Sequence, residues 1–245
     1  MTSGRSCILA YHSIDATGSV ISISPETFRG QMAWLAANGT PVVPLSEVRD
    51  TPGAVSLTFD DGFRNFFEHA FPVLDQYHFP ATVFVIAGYC GARNDWPSQP
   101  AHPAIPTLEL MRWSVVEQIA KSGISVGSHT VTHPRMSGLS EAEAEMEVSL
   151  SQAIIENRIG KAVDTFAYPY GDYTPAVRRV VERRFRWACG TQLSFVSRTS
   201  DPVCLPRIDA YYLRNQFWFR SLERQHGVAY LAGRRFLREL RNRVA

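Results

Sequence analysis

The sequence has no apolar stretch approaching the roughly eighteen residues of a membrane span. Its longest apolar run lies near Ala81–Ala87. The opening residues, Met1 to Ile14, lack the long apolar core of a secretory signal, so the expected location is cytoplasmic. Cysteine is scarce: Cys7, Cys90, Cys189 and Cys204 are scattered, with no C-x-x-C pair. That excludes a disulfide framework or a cysteine zinc site and suits a reducing compartment. Charge of one sign is also missing, with 25 Lys+Arg against 23 Asp+Glu, a net +2. No nucleic-acid partner is expected from so balanced a chain. Internal repeats are absent. The chain does have an ordinary globular make-up, 45% hydrophobic and 20% charged, over 245 residues. Disorder is thereby excluded, and the length fits one large domain or two small ones.

Short apolar runs alternate with helical patterns. Strands are expected over Ser6–Tyr11, Ala54–Phe59, Ala81–Ala87, Ile124–Gly127, Thr165–Ala167 and Arg186–Cys189. Helices are expected from Pro25 to about Ala37, Asn65–Tyr77, Thr107–Ser122, Ser140 to about Ile159, and Pro175–Arg184. Ser24-Pro25-Glu26 supplies an N-cap, a proline at the first helical position and an acid in the first turn. Ser140 and Glu143 have the capping-box spacing. Strand–helix alternation at this pace predicts an α/β fold with parallel strands.

Three polar clusters follow expected strands. Thr58-Phe59-Asp60-Asp61-Gly62 puts two carboxylates at the end of an apolar strand, where burial without a partner is costly. Adjacent side chains point in different directions, so one can bind a cation while the other handles a proton. As an Asp-Asp-Gly turn leading into a helix, the same residues could be purely structural. His129 and His133, in Ser128-His129-Thr130-Val131-Thr132-His133, lie four apart and fall on one face of a helical turn. With one of Asp60 or Asp61 they form a zinc-type ligand set with a position left for water. The third cluster, Tyr168-Pro169-Tyr170-Gly171, makes a shaped, half-apolar wall or a tight turn packed with tyrosines.

In this order the three clusters resemble the polysaccharide deacetylase family, or NodB homology domain, of carbohydrate esterase family 4 type. Its T-F-D-D-G motif is matched by Thr58–Gly62 and its H-[ST]-x-x-H motif by His129–His133. The resemblance implies a distorted (β/α) barrel of seven or eight units. It implies metal-dependent removal of an acetyl group from an N-acetylated saccharide; with the expected cytoplasmic location, a soluble or lipid-linked precursor is the expected form. By position, Asp60 resembles the catalytic base, and Asp61, His129 and His133 the ligands of a divalent metal, expected to be Zn2+. The Tyr170 N–H resembles the oxyanion donor.

The sequence departs from the family pattern twice. Ala167 stands where an arginine usually contacts the base, and Leu205-Pro206-Arg207-Ile208 lacks the late histidine acid. His12 follows the first strand, where catalytic groups of such barrels sit, and is the candidate acid. Arg207 is the candidate to orient Asp60 by charge-assisted hydrogen bonds. Other readings of the same metal centre are an acetyl esterase, a hydrolase of a small non-sugar amide, or an inactive carbohydrate-binding relative.

Two segments stand apart. Pro97, Pro100, Pro103 and Pro106 recur every third residue, as in a stiff polyproline loop, and Trp96 beside them is the candidate for stacking on a sugar. The deacetylase domain is expected over 1–219, followed by a basic helical segment over 220–245 with seven arginines and two glutamates. Ala229, Phe236, Leu237, Leu240 and Val244 form its apolar stripe, with Arg234, Arg235, Arg238 and Arg241 on other faces. The segment either packs on the domain with a solvated basic face or touches anionic lipid at the inner membrane face.

Overall fold

A computed structural model describes residues 4–99, 105–222 and 224–244, and the side chains of 239 and 241–244 lie outside that description. Seven parallel strands form one sheet: β1 Cys7–Tyr11, β4 Val55–Phe59, β5 Ala81–Val85, β6 Ser125–Ser128, β7 Thr165–Ala167, β8 Trp187–Cys189 and β9 Ile208–Asp209, in the order β8-β7-β6-β5-β4-β1-β9. A parallel pair, β2 Ser13–Ile14 and β3 Ser22–Ile23, stands separately. The helices are α1 Pro25–Ala37, α2 Phe71–Tyr77, α3 Trp113–Lys121, α4 Glu141–Ile159, α5 Pro175–Glu182, α6 Gln216–Phe219 and α7 Gln225–Val244.

The strands are buried on both faces, as a parallel sheet covered by helices requires. Alternate side chains separate into two cores. Cys7, Leu9 and Tyr11 pack outward into the large cluster with Phe28 and Met32 of α1. Ile8, Phe84, Ala167 and Cys189 point inward with Trp187 and Leu205. The sheet curls into a distorted barrel, and one segment spans its seam. Leu205 bridges to Cys189 of β8, while Ile208, three residues on, pairs with Leu9 of β1. Arg207 therefore sits where the two sheet edges meet.

Local signals account for most element ends. Ser24 caps α1, and Ser140 with Glu143 closes a reciprocal capping box on α4. Gly160 ends α4 with φ 67°, a backbone state that glycine tolerates. The helix expected from Thr107 begins only at Trp113. Leu110 and Met111 are held extended, their N–H groups donating to Ala92 O and Gly62 O. The helix expected from Asn65 contains a π-helical turn, Phe66–Ala70, before α2. No disulfide joins any of the four cysteines among the described residues. The proline-rich segment falls partly on residues 100–104, outside the described residues.

Helix α7 packs on an unexpected face. Leu231 is buried, and Gly227 lies so close to the Ser221 carbonyl that a Cβ would fall 1.9 Å from its oxygen. Phe236, Leu237 and Leu240, expected to pack, are exposed, as is Ala229. Arg234 and Arg238 continue the packed stripe of Gly227 and Leu231 at spacings of four, three and four. No helix among the described residues is long and apolar enough to cross a membrane.

Candidate active site

Parallel strands deliver their following residues to one end of the barrel. Two main-chain bonds extend the ladders one residue past the strands: Asp60 N–H donates to Tyr11 O, and His129 N–H to Val85 O. His12, Asp60 and His129, which directly follow β1, β4 and β6, are thus brought to a common rim. They line a cavity of about 580 Å³ together with Asp61, His133, Tyr170 and Arg207.

Asp60 and Arg207 form a buried bidentate pair, with Nη1 to Oδ1 and Nη2 to Oδ2 both 2.7 Å. Arg207 is fixed from behind, Nε donating to Gly190 O at 2.9 Å. His12 Nε2 stands 3.7 Å from Asp60 Oδ2, and its side chain is 26% exposed. Burial alone would raise the Asp60 pKa, but Arg207, His129 and His12 hold it well below the usual carboxylate range.

The other carboxylate turns toward the histidines. Asp61 Oδ1 lies 3.4 Å from His129 Nε2 and 3.5 Å from His133 Nε2, and the two ring nitrogens are 3.2 Å apart. Zinc–nitrogen bonds of about 2.0–2.1 Å at tetrahedral angles require ligand atoms about 3.3–3.4 Å apart. All three edges of this triangle meet that requirement within a few tenths of an ångström. The triad is also chemically set for an ion. His129 Nδ1 stands 2.7 Å from Ala167 O, a contact that orients the ring with Nε2 toward the triad. Burial, followed by the neighbouring His129, pushes the His133 pKa down to about 3, so its ring is neutral. A divalent cation fits these residues.

The backbone around the triad is held in left-handed states. Asp61, Thr130, His133 and Tyr170 all have positive φ, between 56° and 68°. Such conformations persist only where surroundings over-determine them, and they concentrate at functional sites. The helical turn expected for His129–His133 does not form. Thr130 and His133 in the left-handed region produce an irregular turn that nonetheless brings the two imidazoles together.

Glu147 of α4 fixes this turn, accepting from Val131 N–H at 2.8 Å, Thr132 N–H at 3.0 Å and the Thr132 hydroxyl at 2.7 Å. Sequence reasoning missed it, because one more glutamate on an acidic helix carries no signal. Replacing it, as Glu147→Ala, is expected to weaken metal affinity by about 10–100-fold, as loss of a ligand-positioning group typically does. Competition against a chromogenic chelator measures this, and unchanged affinity would show that the turn holds itself.

Trp96 does not offer a face to a sugar. It is 3% exposed, its ring 4.5 Å from that of His133, and its indole N–H donates to the Tyr170 hydroxyl at 3.1 Å. The Tyr170 ring packs on His133 from another direction, at 4.6 Å, with Arg135 over it. Trp96 and Tyr170 together wedge His133 in place. The Tyr170 N–H has no hydrogen-bond partner among the described residues.

A family model, polysaccharide deacetylase, matches residues 47–184, more than half of the chain. The chain belongs to the polysaccharide deacetylase family. It is an enzyme of the deacetylase class, as the motifs implied. Among the relatives of this deacetylase, YxkH of Bacillus subtilis (strain 168) is 27% identical over 210 residues, covering 82% of this chain and 70% of that protein. The poly-beta-1,6-N-acetyl-D-glucosamine N-deacetylase of Staphylococcus aureus (strain MRSA252) is 24% identical over 207 residues, covering 76% and 67%. The barrel is shared with IcaB from Ammonifex degensii, at a TM-score of 0.72 and 24% identity over 85% of this chain and 94% of that one. It is shared equally with the Streptococcus pyogenes deacetylase PplD, at 0.71 and 23% over 85% and 93%.

Proposed function

We propose that this deacetylase hydrolyses the acetamido group of an N-acetylated saccharide, releasing acetate and a free amine. The observation that carries the reading is the convergence, in one cavity, of a metal-type triad with a carboxylate held by arginine and flanked by a histidine. The Staphylococcus aureus relative, named for an N-acetylglucosamine polymer, supports the substrate class.

Asp61, His129 and His133 would hold the divalent cation, zinc by the donor set of two imidazoles and one carboxylate. Such an ion supplies Lewis-acid polarisation of an acyl oxygen and a lowered pKa for water. Asp60, kept charged by Arg207, accepts the proton of the attacking water as its oxygen bonds to the acetyl carbon. The unpartnered Tyr170 N–H donates to the oxyanion of the tetrahedral intermediate. His12, as imidazolium, protonates the departing nitrogen, because an unprotonated amide nitrogen leaves badly.

Acetate release from N-acetylglucosamine oligosaccharides, compared with O-acetylated sugars of the same length, tests the reading. The N-acetyl substrates are expected to turn over faster. Turnover confined to the O-acetyl set would overturn the amide reading in favour of an esterase.

A further inference from the structure

The C-terminal helix reaches into the catalytic cavity. Arg234 and Arg238, one turn apart on α7, line the same cavity as Asp60 and the metal triad. They lie outside residues 47–184, so the family match gives them no role. The helix is tied down before them by Leu231 and by the Tyr230 hydroxyl, which donates to Tyr212 O at 2.9 Å.

Each guanidinium has a defined seat. Arg234 lies 4.7 Å over the Tyr212 ring. Arg238 donates to Thr191 O at 2.9 Å and Thr191 Oγ1 at 3.0 Å. Thr191 in turn reaches Tyr170 O at 3.5 Å, which puts Arg238 one residue from the proposed oxyanion loop.

The three carboxylates of the cavity lining are engaged away from these two arginines. Asp60 is neutralised by Arg207, and Asp61 belongs to the metal triad. Asp209, the remaining acid of the lining, accepts from the Tyr211 N–H and caps its turn. Neither Arg234 nor Arg238 has a carboxylate partner among the described residues. Two half-buried guanidiniums that face the cavity with no carboxylate in contact among the described residues are a site for a bidentate anion.

We infer that Arg234 and Arg238 form an anion subsite of the substrate cleft. The saccharide accepted there carries a phosphate or a carboxylate close to the acetamido group that is cleaved. This deepens the N-deacetylase reading and rests on it, but it can be tested apart from turnover.

The test uses the full chain with zinc bound. Calorimetry compares a glucosamine disaccharide, which has no acetyl group to lose, with its 1-phosphate and with a disaccharide bearing a uronate. The wild type is expected to bind one charged form about tenfold or more tightly than the neutral one. Arg234→Gln/Arg238→Gln should remove that preference, and Arg234→Gln alone, which leaves the Arg238–Thr191 hydrogen bonds in place, should weaken it while leaving neutral affinity within about twofold. Should the double variant not fold, Arg234→Gln serves alone, because among the described residues its guanidinium rests only on the Tyr212 ring.

Equal binding of charged and neutral forms by the wild type, or a preference surviving in the variant, overturns the subsite. Preference for phosphate or for uronate names the anion. A lipid-linked phosphate in micelles, binding more tightly than its soluble counterpart, would assign the group to a lipid carrier. Anion preference without acetate release from any N-acetyl form would retain the subsite and sink the hydrolytic reading.

Discussion

Asp60→Asn is expected to lower kcat for acetate release by about 10²–10⁴-fold, the range typical of a lost general base. Asparagine keeps one oxygen toward Arg207 and has nearly the size of the carboxylate, so the cavity keeps its shape. It cannot accept the proton of the attacking water. Metal content should be unchanged, because the triad is built from Asp61, His129 and His133. Product formation and bound zinc, assayed on the same sample, separate the roles of the two adjacent carboxylates. Loss of zinc together with activity would mean that Asp60 is itself a ligand and that the two carboxylates do not divide base and metal roles between them.

Arg207→Met is expected to damage both stability and rate. The Arg207–Asp60 pair is buried, with side-chain exposures of 2% and 5%. Removing one partner leaves an uncompensated buried carboxylate, a loss of about 3–5 kcal/mol. The sign of the pH effect follows from Asp60, whose pKa in the fold is depressed below the ordinary 3.8. Its pairing therefore stabilises the protein fully above that value and is lost as pH falls through the folded-state pKa. In the variant, burial is opposed only by the histidines, so the Asp60 pKa rises. The acid limb of kcat/KM should move to higher pH, and the stability gap to wild type should narrow in acid. Thermal melts across pH and a pH–rate profile check this. A variant with lowered Tm but an unmoved acid limb would reduce Arg207 to a structural strut.

The strand–helix alternation was legible because its signals are local: apolar runs of strand length, capped helices between them, glycine at the ends; the barrel came only with the family resemblance, and β2, β3 and β9, two residues each, carry no such run. The aspartate pair and the histidine pair stood out because such groups are expensive to bury without a task, but which aspartate joins the histidines came only from the resemblance to the deacetylase motifs; the fold puts Asp61 beside them. Arg207 could be named because it stands in the late Leu205–Ile208 segment, where the family pattern has a histidine, but its position at the seam depends on Leu205 and Ile208 bridging opposite sheet edges. No sequence period records that closure.

Helix α7 misled for a physical reason. Its apolar residues at helical spacing predict the packed face, yet the stripe that packs contains glycine, leucine and two arginines. The cavity, not the core, receives those arginines, and the apolar residues are left outside. Trp96 misled similarly, since its surroundings in sequence are polar and proline-rich. In the fold, His133 and Tyr170 surround it.

A metal titration of the chelator-stripped protein tests whether hydrolysis depends on the Asp61–His129–His133 triad. Acetate release from an N-acetylglucosamine oligosaccharide is followed as zinc is added. Activity should be absent after stripping and rise in proportion to zinc up to one equivalent, with Asp61→Asn failing to regain it. Full activity in the stripped protein would contradict the assignment of Asp61, His129 and His133 as the centre on which hydrolysis depends.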